Sequence, residues 1–282
     1  MKTVGALLAW LQASFSEHHW SDSRREATEL LSSFLDISPG DLFFQLEKPL
    51  TEQEWESASQ WLKRRLQGEP LAYISGSVDF YDCKITVNSH VLIPRQETEI
   101  LVDRIVEELA TEDLSNRTLW DLCTGSGCIG IALKKRFPAL TVYLSDISAE
   151  ALAVTAKNAE ENRVHVELKQ GNLLEPFKGL KTHYLVCNPP YISMEEYKQL
   201  DSSVLDFEPK LALVGGVHGD EFYQKLAAQL PHYLFPHGKV WLEIGFQQGE
   251  RVRQLFNDPF WVKKEIENDW AGHQRFFFLE TE

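Results

Sequence analysis

From Thr118 onward the chain alternates short apolar runs of strand length with segments whose apolar residues recur every three or four positions, and no other feature restricts the fold as much. Strands are expected at 118–122, 141–145, 164–168, 183–187, 239–244, 262–268 and 274–279. Helices are expected at 129–137, 149–163, 221–234 and 249–256, after an earlier one over 97–111. Consecutive strands separated by a helix pair in parallel, and their apolar faces need helices on both sides. The expectation is an α/β fold with a mostly parallel seven-stranded sheet, and a ligand beyond the carboxyl ends of the strands where the strand order reverses.

The residues ahead of this region have a different texture. Leu7, Leu8, Leu11 and Phe15 share one helix face, and Asp22 can cap a segment carrying Ala27, Leu30, Leu31 and Phe34. Ser38-Pro39 opens a third helix, and Thr51-Glu52-Gln53-Glu54 reads as a capping box for a fourth that Gly68 and Pro70 stop. Alternating residues around 78–81 and 84–87, with Gly76 and Asn88-Ser89 as turns, indicate a β-hairpin. The expected division is a helical bundle over 1–75, a hairpin linker over 76–94 and the sheet domain over 95–282, consistent with 282 residues as about two domains.

Charge and cysteine usage narrow the function. Lys plus Arg number 28 against 42 Asp plus Glu, a net charge of −14. A protein whose main partner is DNA or RNA carries the opposite sign, because phosphate contacts dominate that affinity. Cys83, Cys123, Cys128 and Cys187 lack zinc-site or disulfide-scaffold spacing, and the nine histidines form no ligand pattern. Free thiols, no metal, no membrane span and a cytoplasmic monomer are the expectations.

Two loops carry the chemistry. The first strand ends in Asp121-Leu122-Cys123-Thr124-Gly125-Ser126-Gly127, and Gly125, Gly127 and Gly130 let a ligand approach the backbone at a tight strand-to-helix turn. Asp146, at the end of the second strand, can accept both hydroxyls of a ribose. A nucleotide pyrophosphate and the methionine part of S-adenosylmethionine both suit such a loop. The fourth strand delivers Asn188-Pro189-Pro190-Tyr191, whose tandem prolines remove two donors and leave carbonyls that only accept hydrogen bonds. That site suits a planar NH2 group. Asn188 and the Pro189 carbonyl each take one N–H while Tyr191 stacks on the flat face, and this favours the methyl donor over a dinucleotide.

The tetrad and loop resemble the amino-group branch of the class I methyltransferases. Within that branch 68–76 (Gly-Glu-Pro-Leu-Ala-Tyr-Ile-Ser-Gly), 91–99 (Val-Leu-Ile-Pro-Arg-Gln-Glu-Thr-Glu), Glu208-Pro209, 213–216 and Glu243-Ile244-Gly245 occur in the order of the HemK family, with Asp269-Trp270-Ala271-Gly272 and Arg275 as a further echo. That family comprises the peptide chain release factor glutamine N5-methyltransferases. The resemblance implies a Rossmann-like methyltransferase domain, S-adenosyl-L-methionine as cofactor with S-adenosyl-L-homocysteine as product, and class I release factors bearing a Gly-Gly-Gln loop as protein substrate. It further implies that Cys123, Thr124, Gly125, Ser126 and Gly127 contact the amino-acid part of the cofactor, Asp146 its ribose, and Asn172 and Leu173 its adenine. Asn188, Pro189, Pro190 and Tyr191 hold the glutamine, Asn188 also lies near the cofactor, and Arg95 either touches the substrate or orients a helix. Asn172 stands where many class members have an acidic residue, Gln96-Glu97 replaces a commoner Pro-Asp, and Cys123 takes a place often held by glycine.

An amide nitrogen is a poor nucleophile, and no residue of the sequence suits its outright deprotonation. The expected mechanism is therefore alignment and polarisation by acceptors at Asn188 and Pro189, with proton loss to water afterwards. Two alternatives share the motifs: a DNA or ribosomal RNA amino-group methyltransferase acting on a flipped base, and a non-catalytic cofactor-binding interaction protein.

Overall fold

The protein is described by a computed structural model over residues 2–282. It opens with helices α1 (Val4–Glu17), α2 (Ser23–Leu35), α3 (Pro39–Leu42), α4 (Glu52–Leu66) and α5 (Leu71–Ser75). Their starts are set by side-chain caps. Thr3 accepts from the Ala6 amide, Asp22 from Arg25 and Ser38 from Asp41, and the Thr51–Glu54 box is reciprocal. Leu7, Leu11, Phe15, Leu31 and Leu42 are fully buried in the bundle core.

After the bundle come β1 (Ser77–Phe80) and β2 (Cys83–Thr86), an antiparallel hairpin. Its turn is Tyr81-Asp82, with φ of 39° and 60°. Both central residues are left-handed, as the right-handed twist of a two-residue hairpin demands, yet neither is glycine. The glycine and Asn-Ser signals in the sequence flank the hairpin and do not form its turn.

Then follow α6 (Gln96–Leu109), β3 (Thr118–Leu122), α7 (Cys128–Arg136), β4 (Thr141–Asp146), α8 (Ala149–Glu161), β5 (Glu167–Gln170), β6 (Thr182–Cys187), β7 (Ile192–Ser193), α9 (Met194–Tyr197), α10 (Ser202–Phe207), α11 (Lys210–Leu213), β8 (Val214–Gly216), α12 (Glu221–Gln229), β9 (Leu234–Glu243), α13 (Gly249–Leu255), β10 (Trp261–Asn268) and β11 (Gln274–Thr281). Seven strands form one sheet in the order β10-β11-β9-β6-β3-β4-β5. All neighbours from β9 to β5 pair in parallel, and β11 is antiparallel to both β9 and β10. The order reverses between β3 and β6, so their carboxyl ends flank the crevice that such sheets offer to ligands.

One face of the sheet buries Trp120, Leu122, Leu185, Cys187, Val240 and Leu242 with Tyr223 and Leu226 of α12 and Val252 of α13. These strand positions alternate with Asp121, Val186 and Glu243, which turn to the opposite face and are also buried. By contact, the chain forms two compact units, residues 2–76 with α10 and residues 77–201 with 208–282.

Three regions differ from expectation. The third strand of the sheet lies at Glu167–Gln170 and not at 164–168, because Arg163 turns left-handed at φ 57° and the Val164 amide bonds back to Ala159. As an exposed edge strand β5 needs no apolar run. Helix α12 stops at Gln229, since Pro231 cannot continue it, and β9 begins at Leu234. The short elements over 192–216 have no periodic signal and were not anticipated.

Candidate active site

At the carboxyl end of β3 the backbone takes three left-handed residues in five: Cys123 at φ 55°, Gly125 at 55° and Gly127 at 82°. Glycine meets that demand freely, whereas Cys123 carries a side chain through it at a cost of about 1 kcal/mol. A Cβ on Gly125 would meet nothing within 4 Å, so the backbone there opens on free space. On Gly127 a Cβ would lie 2.7 Å from Thr155, and on Gly130 only 2.0 Å from Leu144. These two glycines serve close packing of α7 on α8 and on the sheet, and only Gly125 offers open backbone to a ligand.

The loop is tied down from three sides. Asp146 Oδ2 accepts from the Gly125 amide at 2.9 Å, and its Oδ1 accepts from Ser148 at 3.0 Å. Burial raises the Asp146 pKa against those bonds. From α8, Thr155 Oγ1 donates to the Gly125 carbonyl at 2.8 Å, and Asn158 Nδ2 donates to Ser126 at 2.8 Å and to Thr86 of the hairpin at 2.9 Å. Asn158 Oδ1 also accepts from the Thr86 amide at 2.7 Å. Beneath the loop, Asp121 Oδ2 accepts from Thr124 Oγ1 at 2.6 Å and from the Gly130 amide at 3.0 Å. Its Oδ1 is buried without a partner, and burial lifts the carboxyl to about 7.

A cavity of about 300 Å³ lies over this loop. Of the residues picked out by sequence, Arg95, Cys123, Thr124, Gly125, Ser126, Asp146, Asn172, Leu173, Asn188 and Pro190 line it. Gly127, Pro189 and Tyr191 do not. Tyr191 is instead held behind the loop: its carbonyl accepts from Gln248 Nε2 at 2.9 Å, and its ring lies where a Cβ on Gly245 would meet Cδ2 at 3.1 Å. Burial raises its hydroxyl pKa.

Arg95 lines the cavity while its guanidinium pairs with Glu208 at 2.5 Å. Glu208, 5 % exposed, also accepts from the Ile93 amide at 3.2 Å, so one buried carboxylate ties the strap at 93–95 to the segment that continues into α11. Asn188 Nδ2 donates to Thr98 Oγ1 at 3.4 Å, and Thr98 donates to Glu243 Oε2 at 2.8 Å. Thr98, Asn158, Glu208 and Glu243 were not singled out by the sequence reading as site residues. The available signal was a polar residue on an apolar face, as for Asn158 beside Ala151, Val154 and Ala159.

The thiols do not supply a nucleophile. Burial pushes Cys128 up to about 12 and raises Cys187, which hydrogen-bonds Cys123. Among the described residues, no cluster of three or more His, Cys, Asp or Glu is arranged to hold a metal ion. What the cavity offers is a backbone turn, the Asp146 carboxylate and two carboxamides, Asn172 and Asn188.

Comparison with known proteins agrees with this description. Residues 6–76 match the model of the PrmC N-terminal domain and residues 96–205 that of the methyltransferase small domain. A release factor glutamine methyltransferase from Chlamydia trachomatis serovar L2 is 42% identical over 92% of this chain and 88% of its own length. One of the same name from Lactococcus lactis subsp. lactis is 39% identical over 82% and 84%. Among solved structures, the T. thermophilus 16S rRNA N2 G1207 methyltransferase in complex with AdoMet and guanosine aligns at a TM-score of 0.53 and 15% identity, covering 73% of this chain and 50% of that one; it speaks to the fold alone.

Proposed function

We propose, from the premise that this chain belongs to the release factor glutamine methyltransferase family, that its cavity binds S-adenosylmethionine against Cys123–Gly127 and presents a release-factor glutamine to Asn188. The observation that carries the reading is that one cavity is bounded by the open backbone at Gly125, by Asp146 and by Asn188. The alternation expected from sequence holds in the sheet, and methyl transfer to release-factor glutamine is the activity of the family.

The residues present fit the cofactor. Free space over Gly125 accommodates a ligand against backbone. Asp146 accepts from the loop at Gly125 with Oδ2 and from the α8 N-cap Ser148 with Oδ1, which leaves further lone pairs for two ribose hydroxyls. The orphaned Oδ1 of Asp121 is a match for a cationic amino group in the loop. Asn172 lines the cavity with an amide that can accept from an exocyclic amine.

S-adenosylmethionine supplies an electrophilic sulfonium methyl. The chain supplies position and polarisation. Asn188 Oδ1 and the Pro189 carbonyl accept the two N–H groups of the glutamine amide, which fixes its plane and draws electron density onto nitrogen. Positive charge grows on that nitrogen during transfer, and preorganised carbonyl dipoles stabilise it without reorganising. The surplus proton leaves to water. Tyr191, outside the cavity lining, braces the tetrad through Gln248, and Arg95, held by Glu208, shapes the rim. The helical unit recognises the release factor away from the glutamine.

A net charge of −14 supports a protein substrate over nucleic acid in this shared active-site design. Co-expression with a release factor and mass spectrometry should find one added methyl on the glutamine of its Gly-Gly-Gln loop. Asn188→Ala should lower kcat by about a hundredfold or more while cofactor affinity changes far less; turnover near the wild-type rate would overturn the role given to Asn188.

A further inference from the structure

Glu243 is a carboxylate buried to 1 % exposure at the end of β9, and the reaction described above makes no use of it. Its surroundings define a direction. Thr98, in the first turn of α6, commits its single hydroxyl proton to Glu243 Oε2 at 2.8 Å. The Thr98 oxygen can then only accept, and it does so from Asn188 Nδ2 at 3.4 Å. Glu243 also receives a hydrogen bond from the Asn188 side chain.

We propose that Thr98 and Glu243 are positioning residues that hold the Asn188 carboxamide in one of its two orientations, NH2 towards α6 and β9 and Oδ1 towards the substrate. The inference rests on the reading of Asn188 as the acceptor for the glutamine amide. An asparagine side chain has nearly the same shape after a half-turn, so packing alone does not choose its orientation; the hydrogen-bond partners do. Here two acceptors face the same edge. A flip would set Oδ1 against the Thr98 oxygen and the Glu243 carboxylate, leaving Thr98 with no donor and Glu243 with only the Thr98 proton in a buried place. It would also turn an NH2 group onto the NH2 group of the substrate, and the acceptor required for methylation would be gone.

The position of Glu243 is itself fixed. Tyr223 Oη donates to its backbone carbonyl at 2.8 Å, and the neighbouring Ile244 amide donates to Arg275 at 2.8 Å. Arg275 attracts the carboxylate, Glu97 opposes its charge, and Tyr191, Tyr223 and Cys128 lie within its field as neutral groups. Burial lifts the carboxyl to about 7. Once protonated, Glu243 gains a donor, Thr98 is free to turn its proton towards Asn188, and the single allowed orientation is lost.

The experiment follows methyl transfer from labelled S-adenosylmethionine to a release factor, with cofactor affinity measured by calorimetry and folding by thermal melts. Thr98→Val, which keeps the volume and removes the hydroxyl, should lower kcat about tenfold or more with the cofactor Kd and the release-factor KM within about twofold of wild type. Thr98→Ser should restore kcat. In the wild type kcat should fall as the pH drops through about 7, and in Glu243→Gln that acid limb should vanish on a lowered plateau, because a glutamine offers a donor as readily as an acceptor at every pH. The positioning role is overturned if Thr98→Val and Glu243→Gln turn over at the wild-type rate with the wild-type pH profile while Asn188→Ala is inactive. If Asn188→Ala is itself active, the reading of the site fails and the positioning role fails with it.

Discussion

Asp121 is a buried carboxyl whose surroundings favour its protonated form. Burial holds its carboxyl at about 7 in the folded chain against 3.8 in the open one. The folded state therefore keeps a proton that the unfolded state has released, and stability is full below about pH 3.8 and declines as the pH rises towards 7. The whole effect is on the order of 4 kcal/mol. Asp121→Asn, which can still accept from Thr124 and Gly130, should flatten this slope. Its melting temperature should exceed that of the wild type at pH 8 by a margin that shrinks towards pH 5, while cofactor affinity falls at both. A margin that does not change with pH would show that Asp121 does not titrate in this window. Residues of this kind mark the limit of sequence reading. Asp121 stood out because it precedes the glycine loop, and Asn188 because its prolines leave only acceptors. Thr98 and Glu243 meet across 145 positions and Asn158 reaches Thr86 across 72, so no local pattern ties them together.

Elements show the same division between local and distant causes. Strand–loop–helix alternation located five of the seven sheet strands to within about two residues, the central ones because each buries an apolar run, whereas β9 starts at Leu234, ahead of the expected 239, through a segment that is largely exposed. The edge strand β5 slipped by about three residues because an exposed strand leaves no hydrophobic trace. The β1–β2 turn was illegible for a different reason, since it uses Tyr81 and Asp82 where glycine or asparagine is the usual signal. That choice predicts a gain: Asp82→Gly should relieve the left-handed strain and raise stability by up to about 1 kcal/mol, read as a higher melting temperature. A larger effect runs the other way at α8. Asn158→Ala removes three hydrogen bonds between the glycine loop, the helix and the hairpin, and should cost about 2 to 4 kcal/mol and weaken cofactor binding, measured by denaturant titration and calorimetry.

At the scale of the whole molecule the helical unit has a core of its own, separate from those packed on the sheet. Damage to one should be separable from the chemistry of the other. Leu31→Ala, at a fully buried site in the bundle, should cost about 3 kcal/mol and lower the methylation of an intact release factor while leaving the cofactor Kd within about twofold. Unchanged methylation by a demonstrably loosened bundle would remove the recognition role given to that unit. The tandem prolines at the heart of the site bear on how such changes can be watched at all. Pro189 and Pro190 have no amide hydrogen, so deuterium exchange is silent at both, and engagement of the glutamine proposed to bind beside them should be followed at the flanking amides of Asn188 and Tyr191.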